Sequence, residues 1–169
     1  MKRTTTSYGR RLVREKVLQV LYAYELSKEP IATVMDNLLS GLQSHPKEFE
    51  FAKKFVHEVV IHQTEIEKVI RSKVAHWEFD RIAVIDKILL KMGICEFLYF
   101  PEIPPKVTIN EAIEIAKAYS TDKSDKFING VLDAILSDLK ASNTLLKAGR
   151  GLLDKSLHSE VKTSKDHES

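Results

Sequence analysis

At 169 residues, 43% of them hydrophobic and 30% charged, the chain has the size and apolar content of one domain with its own core, which excludes wholesale disorder. A single cysteine, Cys95, excludes a disulfide within the chain and a Cys-based zinc site, and no stretch approaches the ~18 consecutive apolar residues of a membrane span. The formal charge is +2, yet the first 16 residues carry +5 and the remaining 153 sum to −3, so a basic end sits on a mildly acidic body. The stretch Met1–Gly9 is polar and basic with no apolar run of a secretory leader behind it, and with the cysteine usage this points to a cytoplasmic protein.

The apolar spacing is helical along nearly the whole chain. Between Arg10 and Ser27, Val13, Val17, Leu21 and Tyr24 form one stripe with Leu18 beside it, which predicts an amphipathic helix. After Pro30 the pattern returns with Ile31, Val34, Met35, Leu38, Leu39 and Leu42, until Gly41 and Pro46 break it. The run Lys47–Val74 carries Phe55, Val56, Val59, Ile66, Val69 and Ile70; it is too long for an ordinary globular helix, which predicts a break near His62–Thr64. Asp80–Tyr99 places Ile82, Ile85, Leu89, Met92 and Glu96 on one line, with Ile88 and Cys95 adjacent. Pro101, Pro104 and Pro105 impose an extended loop. Thr108 followed by Glu111 has the spacing of a capping box opening a helix to about Tyr119. A polar connector, Ser120–Asp125, leads to a last strong helix holding Phe127, Ile128, Val131, Leu132, Ile135 and Leu139.

From Ala141 the core pattern fades. Seven of the last 29 residues are Ser or Thr, and Gly149 and Gly151 weaken any helix that Leu145, Leu146, Leu152 and Leu153 would form, so 141–169 reads as a flexible polar tail. No strand alternation with hairpin signals occurs. The fold class that follows is all-α: a compact bundle of six to seven helices. Such stripes bury equally well within one chain or between two, so monomer and homodimer both stand open.

Little in this sequence asks for catalysis. His57 and His62 are five residues apart, which puts them about 140° apart on a helix, too far to share a metal. Cys95 lies in an apolar face and reads as a buried small hydrophobe. Gly149-Arg-Gly151 lacks the spacing and the strand–helix context of a phosphate loop. Asp86 and Glu111 are the two carboxylates near apolar surroundings; an outward-facing position explains the first and capping the second. The reading is a binding protein with no catalytic residue, metal or cofactor.

What remains is the cationic cluster of Lys2, Arg3, Arg10, Arg11 and Arg14. Arg10 and Arg14 are neighbours one turn apart, where like charges repel, and they sit in a first turn whose dipole disfavours cations. An anionic partner removes that cost, and guanidinium groups suit phosphate and also stack on unpaired bases. Tyr8, Tyr22 and Phe127 are candidate stacking rings, although for Tyr22 and Phe127 core packing is the better explanation.

Arg10–Glu15 (RRLVRE), with Leu18–Tyr22 (LQVLY) behind it, resembles the opening helix of the NusB family of transcription antitermination factors. Ile85–Phe97 (IDKILLKMGICEF) is similar to the central helix of that family, and Pro105–Lys117 (PKVTINEAIEIAK) followed by Lys126–Asp133 (KFINGVLD) is the most specific match. The resemblance spans about residues 8–140, which sets residues 1–140 as an all-helical RNA-binding domain and 141–169 as its tail. It implies two packed helical subdomains and a non-enzymatic factor that binds boxA RNA of nascent ribosomal RNA transcripts. It also implies two partners, the small-subunit ribosomal protein NusE and the RNA polymerase elongation complex. Carried over by position, the resemblance implies that Lys2, Arg3, Arg10, Arg11, Arg14, Tyr22, Lys126 and Phe127 contact RNA and that Asp86 meets the protein partner. Two departures stand out: Lys123 occupies a place where family members can carry an acid, and Leu12 interrupts a longer arginine run.

Two rival readings compete. One is an RNA-targeting domain of a ribosomal RNA methyltransferase, which would need a catalytic domain that this sequence does not contain. The other is a purely protein-binding helical adaptor without direct RNA contact. A clear negative slope of log affinity against log salt separates RNA binding from the adaptor.

Overall fold

The computed structural model describes residues 9–155, without the side chains of His76, Trp77, Asp154 and Lys155. Among these residues there is no strand, and the helices follow one another as α1 (Arg10–Ser27), α2 (Ile31–Leu38), α3 (Pro46–Ile61), α4 (Gln63–Arg71), the single turn α5 (His76–Phe79), α6 (Val84–Tyr99), α7 (Pro105–Tyr119) and α8 (Ser124–Ala141), with 3-10 turns at Ser40–Leu42 and Gly149–Lys155. Seven helices of eight residues or more agree with the six to seven expected. None is long and apolar enough to cross a membrane.

Helix α6 is the axis of the molecule. It packs on α1, α3 and α4 on one side and on α7 and α8 on the other, joining an N-terminal and a C-terminal helical subdomain. Every residue from Ile88 to Phe97 is buried. A helix buried on all faces has no polar stripe on which to place its charges, so each of them needs a partner inside. Asp86 accepts hydrogen bonds from the hydroxyls of Ser120 (2.6 Å) and Ser124 (2.8 Å). Lys91 Nζ lies 2.8 Å from Glu67 Oε1 on α4. Burial works against the Glu67 charge, but the hydrogen bond and charge of Lys91 outweigh it and hold that carboxyl below its ordinary range. Glu96 is matched from α1, as described below. Among the described residues no buried side-chain nitrogen or oxygen lacks a hydrogen-bond partner. Gly93 lets α8 approach: a Cβ there would stand 2.9 Å from Leu132 Cδ2.

Beside this axis Phe51, Phe55 and Phe100 form an aromatic cluster with centroids 5.1–5.7 Å apart. The expected break in the third apolar run falls at His62, after the β-branched Val59, Val60 and Ile61. Its ring stacks on Tyr99 at 3.9 Å between Glu58 and Glu65. His57 is exposed, and no group of three or more His, Cys, Asp or Glu among the described residues could hold a metal. Cys95 is fully buried, and burial pushes its thiol well above the ordinary value.

Three expectations differ from the structure. The helix expected over Asp80–Tyr99 begins only at Val84, because Ala83 is extended (ψ 142°), and no proline or glycine marks that break. No capping box forms at Thr108: Pro104 is extended and Pro105 opens α7, since a proline nitrogen has no hydrogen to leave unpaired at a first helical position. Thr108 is buried within the helix instead, and Glu111 faces α1. Lastly, the chain beyond Ala141 does not leave the body at once. Asn143 turns it in the left-handed region (φ 56°), and residues 144–155 fold back as a strap over the C-terminal end of α6. Lys147 Nζ donates to the carbonyls of Glu96 and Phe100, both at 2.9 Å, and the Ala148 N–H donates to Pro101 O. The two glycines make this possible. Gly149 is left-handed (φ 56°), and a Cβ on Gly151 would lie 2.0 Å from Pro101 O.

Burial pushes the Lys147 ammonium down to about 8, with Glu96 and Glu102 offsetting part of the loss. In the unfolded chain the same amine titrates at its ordinary value of 10.5. Between these two values the unfolded state binds more protons, so the folded state gains stability from this group as pH rises through 8. A Lys147→Met variant is expected to flatten that rise. Denaturant unfolding of both proteins between pH 7 and 10, compared as a difference, removes the shared contributions of Cys95 and Tyr99. At the helix seam, Gly93→Val forces α6 and α8 apart and is expected to cost about 1–3 kcal/mol, read as a lower melting midpoint.

Candidate nucleic-acid interface

The basic end of α1 divides into three environments. Arg10 is exposed, and its guanidinium lies 3.8 Å over the Phe51 ring, a stacking contact that orders the group and leaves its hydrogen-bond donors available. Arg11 is half-exposed and makes a bidentate pair with Glu111 on α7, with Nε and Nη2 at 2.9 and 3.0 Å from the two carboxylate oxygens. The Glu111 hydrogen bond and charge raise its pKa further. Arg14 points inward. It is 4% exposed and pairs with Glu96 through Nε (3.0 Å) and Nη2 (2.7 Å), while the Thr108 hydroxyl donates to the same carboxylate. Leu89, Met92, Ala112 and Ile115 surround this pair. Burial works against the Arg14 charge, but the hydrogen bonds and charge of Glu96 outweigh it and raise its pKa.

Arg14, expected on the RNA surface, is therefore corrected to an interior structural cation. The i, i+4 spacing that made it look like a partner of Arg10 does not reveal that α6 offers a carboxylate on that side. The local cost of clustered cations is relieved within the molecule at two of the three arginines. Lys2 and Arg3, together with Tyr8, lie outside the described residues.

Tyr22 is 40% exposed on the outer face of α1, so core packing does not claim it. It lies 11 residues from Arg11, about three turns along the same face. Between them the carboxylate of Glu15 accepts a hydrogen bond from the hydroxyl of Tyr119, at 3.4 Å. Tyr119, the last residue of α7, is itself 40% exposed and was not singled out in the sequence. Its position at the end of an apolar stripe made it read as the close of a helix. The detectable signal was an aromatic residue directly before the polar connector.

Lys126 and Phe127 open the first turns of α8. Lys126 is exposed; Phe127 is half-buried and lines a groove of about 310 Å³ with Arg81, Ile82, Asp86, Lys123 and Ser124. Asp86, expected on an outward partner face, is corrected to a buried clasp, because both its oxygens are held by Ser120 and Ser124. It reaches the groove only at its floor, and Lys123 stands at the same groove. Asp86 and Glu96 are ten residues apart on α6, roughly 15 Å. The Glu96 end of α6 thus meets the arginines of α1, and its Asp86 end meets Ser120, next to Tyr119 in the chain, and Ser124 at the opening of α8.

The sequence model of the NusB family matches residues 11–137. The chain is 45% identical over 147 residues to the transcription antitermination protein NusB of Chloroherpeton thalassium, covering 86% of this chain and 70% of that protein. It is 43% identical over 146 residues to the NusB of Salinibacter ruber, covering 86% of this chain and 91% of that protein. Among solved structures it is similar to NusB of T. maritima, with TM-score 0.73 and 31% identity over 79% of this chain and 94% of that one. It is also similar to a chain from a crystal structure of the antitermination factors NusB and NusE in complex with double-stranded RNA, with TM-score 0.70 and 26% identity over 76% of this chain and 96% of that one.

The interior assignment of Arg14 is testable by stability. Arg14→Ala strands the Glu96 carboxylate and is expected to cost about 3–5 kcal/mol, whereas Arg14→Met combined with Glu96→Leu recovers most of the loss. Arg10→Ala leaves the melting midpoint unchanged. Thermal unfolding of the four proteins checks all three outcomes; an Arg14→Ala protein as stable as the parent returns Arg14 to the surface.

Proposed function

The chain belongs to the NusB family, a family of transcription antitermination factors and not of enzymes, and we propose that it binds the boxA element of nascent ribosomal RNA transcripts. In this reading it acts in the cytoplasm together with the ribosomal protein NusE, as part of an elongating RNA polymerase complex. The observation that carries the reading is a set of accessible groups on α1, α7 and the start of α8: the cations Arg10, Arg11 and Lys126 and the rings of Tyr22, Tyr119 and Phe127, which we read as one strip. An unpaired strand needs this combination: guanidinium and ammonium groups take phosphates, and rings take base faces. The likeness to a NusB chain solved with NusE and RNA supports the same partnership.

Each contact has a stated role. Arg10 offers a free guanidinium fork to phosphate. Arg11 contributes once phosphate displaces Glu111. Tyr22, Tyr119 and Phe127 stack bases, and Lys126 takes a phosphate at the far end. NusE covers the groove beside Asp86 and Lys123, with Asp86 shaping that groove from its floor. Lys2 and Arg3 add phosphate contacts at the N-terminal edge.

Single-stranded boxA RNA titrated against the full chain, with and without NusE, tests this. Arg10→Ala is expected to reduce the slope of log affinity against log salt by about 0.7, one phosphate contact on a single strand. Tyr22→Ala is expected to lose about 1–3 kcal/mol of RNA affinity at constant slope. Neither variant alters the melting midpoint. RNA affinity unchanged in both variants overturns the strip, and absence of RNA binding at every salt concentration favours a protein-binding adaptor.

A further inference from the structure

The strap of residues 144–155 creates a second surface, remote from the arginine strip in composition and purpose. A groove of about 460 Å³ runs between the strap and the C-terminal end of α8, lined by Pro105, Leu139, Leu145, Leu146 and Leu152, with Lys140 and Lys147 in its walls. Among the described residues no carboxylate lines it. Leu146 is 74% exposed and Leu152 is 55% exposed, on a strap that the rest of the chain holds firmly. We propose that this groove is a docking site for an acidic amphipathic segment of a protein partner, one that presents apolar side chains at helical spacing with carboxylates beside them.

Three observations favour that occupant. The groove is pre-formed: Gly151 is pressed against Pro101 O, Lys147 ties the strap to two carbonyls of α6, and the Ala148 N–H adds a third tie. A pre-formed groove costs the partner less ordering on binding. Its lining is aliphatic, which suits leucine-like side chains laid into it from an amphipathic helix. No aromatic ring is among the described residues that line it, so these give bases no platform on which to stack. Finally, the charged side chains among its described lining, Lys140 and Lys147, have one sign. Lys140 lies in the last turn of α8, and Arg150 is exposed on the strap. Carboxylates flanking an apolar face meet these groups and place apolar side chains on Leu146 and Leu152. The inference is independent of the RNA reading, because none of these residues belongs to the strip.

The test uses the full chain and a fluorescein-labelled synthetic helical peptide with leucines at i, i+3 and i+7 and glutamates between them. A counterpart with every glutamate replaced by lysine serves as the control. The acidic peptide is expected to bind and the lysine peptide not to bind. Leu146→Ser with Leu152→Ser, and separately Lys140→Glu, are each expected to weaken binding roughly tenfold, while boxA RNA affinity and the melting midpoint stay those of the parent. Equal binding of both peptides, or unchanged binding in the variants, overturns the proposal. Displacement of the acidic peptide by a synthetic peptide of residues 156–169 assigns the groove to the chain's own C-terminus and overturns it as well. Loss of self-association in the double variant assigns it to a second copy, and loss of RNA affinity assigns it to nucleic acid; either result also overturns it.

Discussion

The pairing of Arg14 with Glu96 sets the terms for the rest of the structure. A helix that is apolar on every side solves the problem of building a core between two subdomains, yet a carboxylate buried near its C-terminal end cannot reach water. Only a cation brought from another element makes that position tolerable, and α1 brings it with two parallel hydrogen bonds. The pair therefore fixes the rotation of α1 about its own axis. Once Arg14 faces inward, Val13, Val17, Leu18 and Leu21 follow it into the core, and Leu12 and Tyr22 are left outside.

This geometry decides which side chains of a cationic sequence can meet a ligand. A run of basic residues is not a basic surface. Of the three arginines in α1, one neutralises the interior, one is held by Glu111, and one rests on an aromatic ring with its donors free. The free cationic charge at this end is correspondingly smaller than the sequence suggests, while Tyr22 and Tyr119 stand exposed. The Glu111 carboxylate occupies two donors of the Arg11 fork, so an anion competes there with a bidentate partner.

Much of the architecture was legible in the sequence, for reasons that can be named. The stripes of α1, α2 and α8 repeat at helical spacing, and packing against α6 and its neighbours rewards that spacing. The break at His62 was legible because a helix of that length is rare. Less was legible where a local signal competes with a long-range one. The Thr108 and Glu111 spacing imitates a cap, but Thr108 serves Glu96 and Glu111 serves Arg11, both partners distant in the chain. The start of α6 was hidden because Ala83 takes an extended backbone that alanine does not advertise. At the candidate interface, residue type pointed to Arg10, Tyr22, Lys126 and Phe127. The direction in which a side chain leaves its helix, which separates Arg14 and Asp86 from them, depends on contacts 34 to 82 residues away.

The close approach of Gly151 to Pro101 O has a consequence for descent. A side chain of even one carbon is incompatible with the strap as it lies, and at Gly149 the backbone sign admits few replacements. Arg150 between them meets no such restriction. Homologues that retain the strap should therefore show two frozen positions flanking a free one, and lineages that lose either glycine should have discarded the whole appendage.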